Sequence, residues 1–373
     1  MKISFFQFKK IVACVSVLSG TIIGVGIFSL PYITSKVGIY IMLLYFIFLG
    51  WAVILIHQYF GELVLITPDF KRLPGFAKQY LGKWGERIAY LSTIFGIYGS
   101  LLAYLIVGGE FLKELLSPYW AGADVLYTFV YFLAGSFLIA IGIKFIAGIE
   151  LIGLILFFLI LFFIFLKSLP FLKISDFLSP LDSHYLFLPY GPVLFSLWGA
   201  SLIPETEEML TKDKKLLKKV ILLSLLIPIF VYLFFIFLVL GISGPFTTPF
   251  ALTGLRNFLG DGIYPLLLVF GILTAFTSFI TLGLTLKKMF LFDLGINKRD
   301  AFFITICIPL ILFLLGFQSF IDVISFVGGV LLGVEGILIL LMYRKAKKKN
   351  FVTLLLLGVL GLGIIYELFS FLI

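Results

Sequence analysis

The chain has 373 residues, of which 62% are hydrophobic and 13% charged, with 45 phenylalanines and a net charge of +9. No soluble domain of this size needs so much apolar surface, and its repeated apolar runs have the length, about 20 residues, at which a helix crosses a bilayer. The positive charge lies in short segments between those runs, where lipid headgroups and topology account for it without a nucleic-acid or obligate protein partner.

The pattern predicts an all-α integral membrane protein of one domain, residues 1–373, with about eleven transmembrane helices. They lie near 11–33, 38–66, 88–110, 125–143, 145–167, 186–209, 219–242, 264–286, 301–316, 320–342 and 351–372. With the N-terminus cytoplasmic, 23 of the 28 Lys and Arg residues fall on the inner side. Only Lys36, Lys113, Lys167, Lys173 and Arg256 fall outside. This positive-inside bias predicts a multi-pass protein of the cell (inner or plasma) membrane with its C-terminus extracytoplasmic. The first apolar run follows Lys9 and Lys10 as a signal peptide would, but no small-x-small cleavage site follows, so it is expected to stay as the first span. Cys14 and Cys307 lie within spans, which indicates neither a disulfide framework nor a metal site.

Span 1 contains Ser19-Gly20-Thr21-Ile22-Ile23-Gly24-Val25-Gly26-Ile27-Phe28-Ser29-Leu30-Pro31. Glycine weakens an exposed helix interior by about 1 kcal/mol relative to alanine. In lipid, unpaired backbone is tolerated only where protein or a cavity receives it. A span that invites a break therefore predicts free N–H and C=O groups available to a ligand. After span 2, Arg72 to Gly82 carries apolar and basic residues at helical spacing and is expected to lie along the membrane surface. Span 6 repeats the oddity of span 1 in Tyr190-Gly191-Pro192 and Trp198-Gly199-Ala200-Ser201-Leu202-Ile203-Pro204-Glu205. Spans 1 and 6 would open two halves of five spans each, about 11–167 and 186–342, with 351–372 outside them. An odd repeat length inverts the second half, and paired interrupted spans are the best sequence pointer to a transporter's central site. Small-residue packing faces are the alternative reading. In span 8, Thr274, Thr277, Ser278, Thr281 and Thr285 share one helical face. Their hydroxyls could serve a dehydrated Na⁺ or simply bond neighbouring helices.

At this point the sequence resembles the amino acid/auxin permease family, in its aromatic amino acid permease branch, within the amino acid-polyamine-organocation superfamily. GTIIGVGIFSLPYITSKVG resembles that family's first helix, PGFAKQYLGKWG its loop after span 2, and WGASLIPETEEM its sixth helix. FTSFITLGLTLKKMFLFD is similar to its span 8 end, with two extra residues. The resemblance implies a LeuT-like inverted repeat and alternating access for an amino acid, neutral or aromatic, driven by Na⁺ or H⁺, with no cofactor. It implies that backbone N–H groups of Gly24, Val25 and Gly26 meet the substrate carboxylate, where a half-helix N-terminus carries about +0.5 charge. Carbonyls near Ser19, Thr21 and Ser196 would take the ammonium group. Trp198, Gly199 and Ala200 would frame the side chain, with Tyr98 or Tyr104 closing the pocket. A coupling cation would use the carbonyls of Gly20, Ile23 and Thr274 and the hydroxyls of Thr277 and Ser278. The proton-coupled aromatic permeases often carry a lysine in span 5, and none lies between Phe145 and Leu166 here, which tilts the expectation toward Na⁺.

An ionisable group at the bilayer centre costs at least about 2.5–3.5 kcal/mol, so each is a functional suspect. Glu205, at the inner end of span 6, could gate by pairing with a cytoplasmic Lys or Arg. Glu335, deep in span 10, is the candidate buried proton carrier. His57 reads as a satisfied core histidine. No catalytic cluster such as His-Glu-x-x-His or Gly-x-Ser-x-Gly is present, so an enzyme is not expected. The breaks lack the Asp and Met of metal-ion carriers of this fold. A non-transporting nutrient sensor, or a carrier of another small organic solute, remains the alternative.

Overall fold

The computed structural model describes residues 5–142, 146–173, 182–347 and 350–372. The described residues form helices and connecting turns, with no strand among them, as lipid demands of a chain that must satisfy its backbone within each segment.

The helices are α1 Phe5–Ile22, α2 Leu30–Val37, α3 Ile39–Ile66, α4 Leu73–Leu81, α5 Lys83–Leu116, α6 Asp124–Ile141 and α7 Ile146–Ser168. There follow α8 Tyr190–Leu197, α9 Ile203–Leu210, α10 Leu217–Ser243, α11 Arg256–Lys288 and α12 Lys298–Leu314. The last three are α13 Phe320–Phe326, α14 Gly333–Ala346 and α15 Phe351–Leu372. Among the described residues, seven helical segments are long and apolar enough to cross a membrane, and the bent pair Phe6–Ile22 and Val25–Val37, taken as one span, makes an eighth.

The segment expected after span 2 is helical, as α4, whose apolar side buries Leu73, Pro74, Phe76 and Ala77 against α5. Gly38 ends α2 at φ 81°, a left-handed conformation that glycine adopts without steric cost, and α3 starts at once. The 34-residue α5 is the central post and packs on α11, α6, α12 and α4.

Both predicted breaks are present. Span 1 bends by 50° between Ile22 and Val25 and resumes through a 3₁₀ turn at Val25–Phe28. Span 6 stops at Leu197, passes Trp198 and Gly199 in non-helical conformations, and resumes through a 3₁₀ turn at Ala200–Leu202. Two further irregularities are new: α11 ends in a π-turn at Met289–Asp293, and span 10 opens into one at Val327–Leu332, between α13 and α14. At Gly328 this turn packs so closely on α8 that a side chain would run into the Gly191 carbonyl.

Candidate functional site

The hydrogen bonds around the two breaks define which backbone groups remain available. The α1 ladder ends with the Ile23 N–H on the Ser19 carbonyl at 2.8 Å, which leaves the Gly20 and Ile22 carbonyls beyond the last rung. The Ile22 carbonyl accepts the Gly24 N–H at 2.8 Å and the Tyr232 hydroxyl at 2.7 Å. That same hydroxyl lies 2.7 Å from the Ser196 carbonyl in span 6. Tyr232, fully buried on α10, therefore clasps both breaks with one bifurcated donor. On the far side of break 6, the Gly199 N–H donates to His57 Nε2 at 2.9 Å. His57 Nδ1 lies 2.9 Å from the Val53 carbonyl, which can only accept, so the ring is a neutral imidazole with its proton on Nδ1. His57 is the satisfied core histidine expected, and it also holds the break open.

Between the breaks lies a cavity of about 70 Å³. Its walls are Thr21, Ile22, Gly24 and Gly26 from span 1, and Phe195, Ser196, Trp198 and Ser201 from span 6. Thr93, Gly96, Ile97, Ser100 and Tyr104 of α5, Leu282 of α11, and Leu332 and Glu335 of span 10 complete them. Glu335 is buried and accepts two hydrogen bonds, from Thr93 Oγ1 at 2.6 Å and from Trp198 Nε1 at 2.8 Å. The acid thus reaches break 6 through the indole that bounds it. An engineered apolar cavity of about 150 Å³ holds one benzene, so a 70 Å³ space must widen before it takes an aromatic side chain.

The sequence-derived residues divide into three groups. Thr21, Gly24, Gly26, Tyr104, Ser196 and Trp198 line the cavity. Ser19, Val25, Gly199 and Ala200 stand in or beside the breaks but outside its lining. The Ser19 hydroxyl donates to the Ser224 carbonyl at 3.2 Å, and a side chain on Gly199 would meet Ile22 and Leu18. Tyr98 is placed elsewhere: its hydroxyl donates to the Ile304 carbonyl of α12 at 3.1 Å and its ring lies near Phe95 and Phe290. Six residues separate Tyr98 from Tyr104, and that spacing rotates the two onto different faces of α5. The anion-binding expectation narrows as well. The Gly24 N–H is engaged with Ile22, which leaves Val25 and Gly26 at the start of the 3₁₀ turn, where a helix offers its own N–H groups no acceptor.

The expected cation residues are distributed over α1 and α11. Gly20 lies in the last turn of α1 and Ile23 just beyond it, and Thr274, Thr277 and Ser278 lie on one face of α11. Thr274 Oγ1 donates to the Phe270 carbonyl at 2.9 Å. Thr277 Oγ1 donates to the Leu273 carbonyl at 3.1 Å and the Thr274 carbonyl at 3.2 Å. Each hydroxyl bonds back to its own helix and keeps oxygen lone pairs for a cation. Ser278 hydrogen-bonds Tyr104, whose hydroxyl also abuts Gly24, so the two sets of residues meet at that tyrosine.

On the face that carries most of the basic residues, Arg72 Nε lies 4.0 Å from Glu205 Oε1 while its Nη1 bonds Asp293 at 2.9 Å. Lys10 bonds Thr211 at 2.6 Å and Asp213 at 3.2 Å, tying α1 to the turn after α9. These half-buried pairs link α1 and the start of α4 to α9, the turn after it and the end of α11. Arg72 is the basic residue that pairs with Glu205. On the opposite face a cavity of about 360 Å³ lies between Tyr32, Lys36, Phe250, Phe320 and Asp322. Tyr232 and Thr93 had no signal in the sequence, being single polar residues within apolar runs, whereas Phe195, Ser201 and Asp293 belong to spans 6 and 8 but had no role assigned there.

Comparison with known proteins places these features. The tryptophan/tyrosine permease family matches residues 7–365. The tyrosine-specific transport system 1 of Haemophilus influenzae is 26% identical over 303 residues, covering 75% of this chain and 72% of that protein. Among solved structures, MhsT in complex with L-phenylalanine aligns with a TM-score of 0.67 at 17% identity, covering 97% of this chain and 98% of its own. A manganese transporter of Eremococcus coleocola also aligns at 0.67, with 12% identity over 99% of this chain and 88% of that one. Likeness at such identities establishes the LeuT-like transporter fold and leaves the cargo to the site.

Proposed function

The chain belongs to the tryptophan/tyrosine permease family, and from that membership we propose that it carries an aromatic amino acid across the cell membrane by alternating access, driven by a Na⁺ or H⁺ gradient. It is a multi-pass membrane transporter and not an enzyme. The observation that carries the reading is the convergence of two broken spans on one cavity that also contains a buried acid. The N–H groups of Val25 and Gly26 take the substrate carboxylate, with Gly24 giving it room. The Thr21 and Ser196 carbonyls, beside Ser19, take the ammonium group. Trp198, Phe195 and Tyr104 bound the ring, backed by Gly199 and Ala200 in the break.

Two routes for the coupling ion follow from the same geometry. Na⁺ would use the Gly20, Ile23 and Thr274 carbonyls with the Thr277 and Ser278 hydroxyls. A proton would use Glu335, which lines the substrate cavity. Glu205 acts as the inner gate through Arg72. The charge distribution supports eleven spans in one domain, a cytoplasmic N-terminus and an extracytoplasmic C-terminus.

Purified protein in proteoliposomes, given tyrosine, tryptophan or phenylalanine under an imposed Na⁺ or H⁺ gradient, tests the reading. Accumulation that follows one gradient and collapses with it is expected. No accumulation under either would leave a sensor of the same solutes, detectable as binding without flux.

A further inference from the structure

Glu367 lies on α15, outside the two proposed repeats, and it is buried at 6% exposure. Its Oε1 accepts the Gly191 N–H of α8 at 3.1 Å. The first turn of α8 explains why that bond matters. Its N-cap is Pro189, which offers no side-chain acceptor. The Tyr190 N–H donates to the Phe187 carbonyl and the Val193 N–H to the Pro189 carbonyl, while Pro192 has no N–H. Gly191 is thus the one donor in the turn that needs an acceptor from elsewhere, and the last span supplies it. Three glycines clear the space. A side chain on Gly191 would strike the Glu367 carboxylate and the Ser325 carbonyl, and one on Gly329 the Glu367 stem. One on Gly363 would strike the Tyr190 ring. No Lys, Arg or His among the described residues lies within ion-pair distance of Glu367. The titratable groups facing it are Tyr45 of α3, Tyr190 of α8, Asp322 of α13 and Tyr366 of its own helix. Among the described residues the Glu367 carboxyl group thus meets the first turn of α8, with tyrosines and another acid around it.

We propose that Glu367 is a positioning residue that latches the outer half of the broken sixth span to the last span, and that a proton from the external water loosens this latch during transport. The inference rests on the alternating-access reading, in which α8 must move relative to its neighbours. As a carboxylate, Glu367 accepts the Gly191 N–H with full charge assistance. Once protonated it is a weaker acceptor at the same N–H, so the latch is tight at alkaline and loose at acid external pH.

The test uses the full chain in proteoliposomes, with Cys14 and Cys307 replaced and nitroxides attached at Ser183→Cys and Val125→Cys. The inter-label distance is read across about pH 5 to 9, the range over which a buried carboxyl titrates. A single narrow distribution at alkaline pH that broadens at acid pH is expected. Glu367→Gln keeps an acceptor but cannot change charge, so its distribution should not respond to pH. Glu367→Ala should be broad throughout, and its maximal uptake rate should fall at least about fivefold while equilibrium tyrosine binding changes less than about threefold. If the alanine variant does not fold, the glutamine variant carries the test alone. A pH response surviving in Glu367→Gln, or absent from the wild type, overturns the latch whatever the uptake. A pH-sensitive distance in a wild type that transports no aromatic amino acid overturns the transport reading and keeps the latch.

Discussion

Tyr232→Phe removes one oxygen from the point where the two broken spans meet. The ring volume is conserved, so no cavity is created and the loss is confined to hydrogen bonding. The Ile22 carbonyl keeps the Gly24 N–H at 2.8 Å, whereas among the described residues no other bond is present at the Ser196 carbonyl, 2.7 Å from the lost hydroxyl. One buried carbonyl is therefore orphaned, at a cost of about 1–3 kcal/mol. In a chain of this length each kcal/mol moves the unfolding midpoint by about 2 °C, so a fall of about 2–6 °C is expected. The assay is thermal unfolding of the purified protein in detergent, with and without saturating tyrosine. Because the proposed ammonium position lies at that carbonyl, substrate should restore more than half of the loss. A midpoint within about 1 °C of the wild type would show that the clasp contributes nothing. A full loss that substrate does not relieve would remove the Ser196 carbonyl from the ammonium site.

Gly24→Leu should insert and fold yet lose binding, because its side chain would displace the Tyr104 hydroxyl and enter the cavity. Equilibrium binding at wild-type affinity would take the first break out of the site. Glu335→Gln can still accept from Trp198 Nε1 and donate to Thr93 Oγ1, but it cannot carry a proton. If coupling runs through it, gradient-driven accumulation should vanish while substrate exchange between equal pools continues; unimpaired H⁺-driven accumulation would exclude Glu335 as the carrier. Thr277→Ala and Ser278→Ala should each raise the Na⁺ concentration that half-saturates uptake, and unchanged dependence in both would dismiss the α11 cation residues. Arg72→Ala frees Glu205 and Asp293 together. It should make a thiol reagent delivered from the basic face react faster at a Ser201→Cys probe, and an unchanged rate would mean that this ion cluster does not close the inner side.

Element positions were legible because lipid imposes a simple rule on the sequence. A run such as Ile39 to Ile66 has one way to satisfy its backbone, and α3 occupies the expected span. Both breaks were visible for the same reason, since glycines at 24 and 26 and the Trp198-Gly199 pair cost helix stability where nothing in lipid repays it. The π-turn at Val327–Leu332 was not visible. Gly328 and Gly329 look like ordinary packing glycines until α8 is laid against them. The cavity tyrosine was half legible: two candidates on α5 could not be told apart until the rotation of that helix placed Tyr104 at the cavity and turned Tyr98 to α12.

The sequence by itself determined that this is a helical membrane protein, where its spans lie, and which two of them break. Those properties follow from local composition and from the price of unpaired backbone in hydrocarbon. Only the tertiary structure decided what the breaks are made to do. It joined the Ile22 and Ser196 carbonyls through Tyr232, and the Gly199 N–H to His57. It also brought Glu335 to the cavity through Trp198, and Glu367 to the start of α8. These partners lie 36 to 210 residues apart in the chain. No local pattern encodes such pairs, because a hydrogen bond is set by a few ångströms of packing between helices whose rotation the sequence does not state.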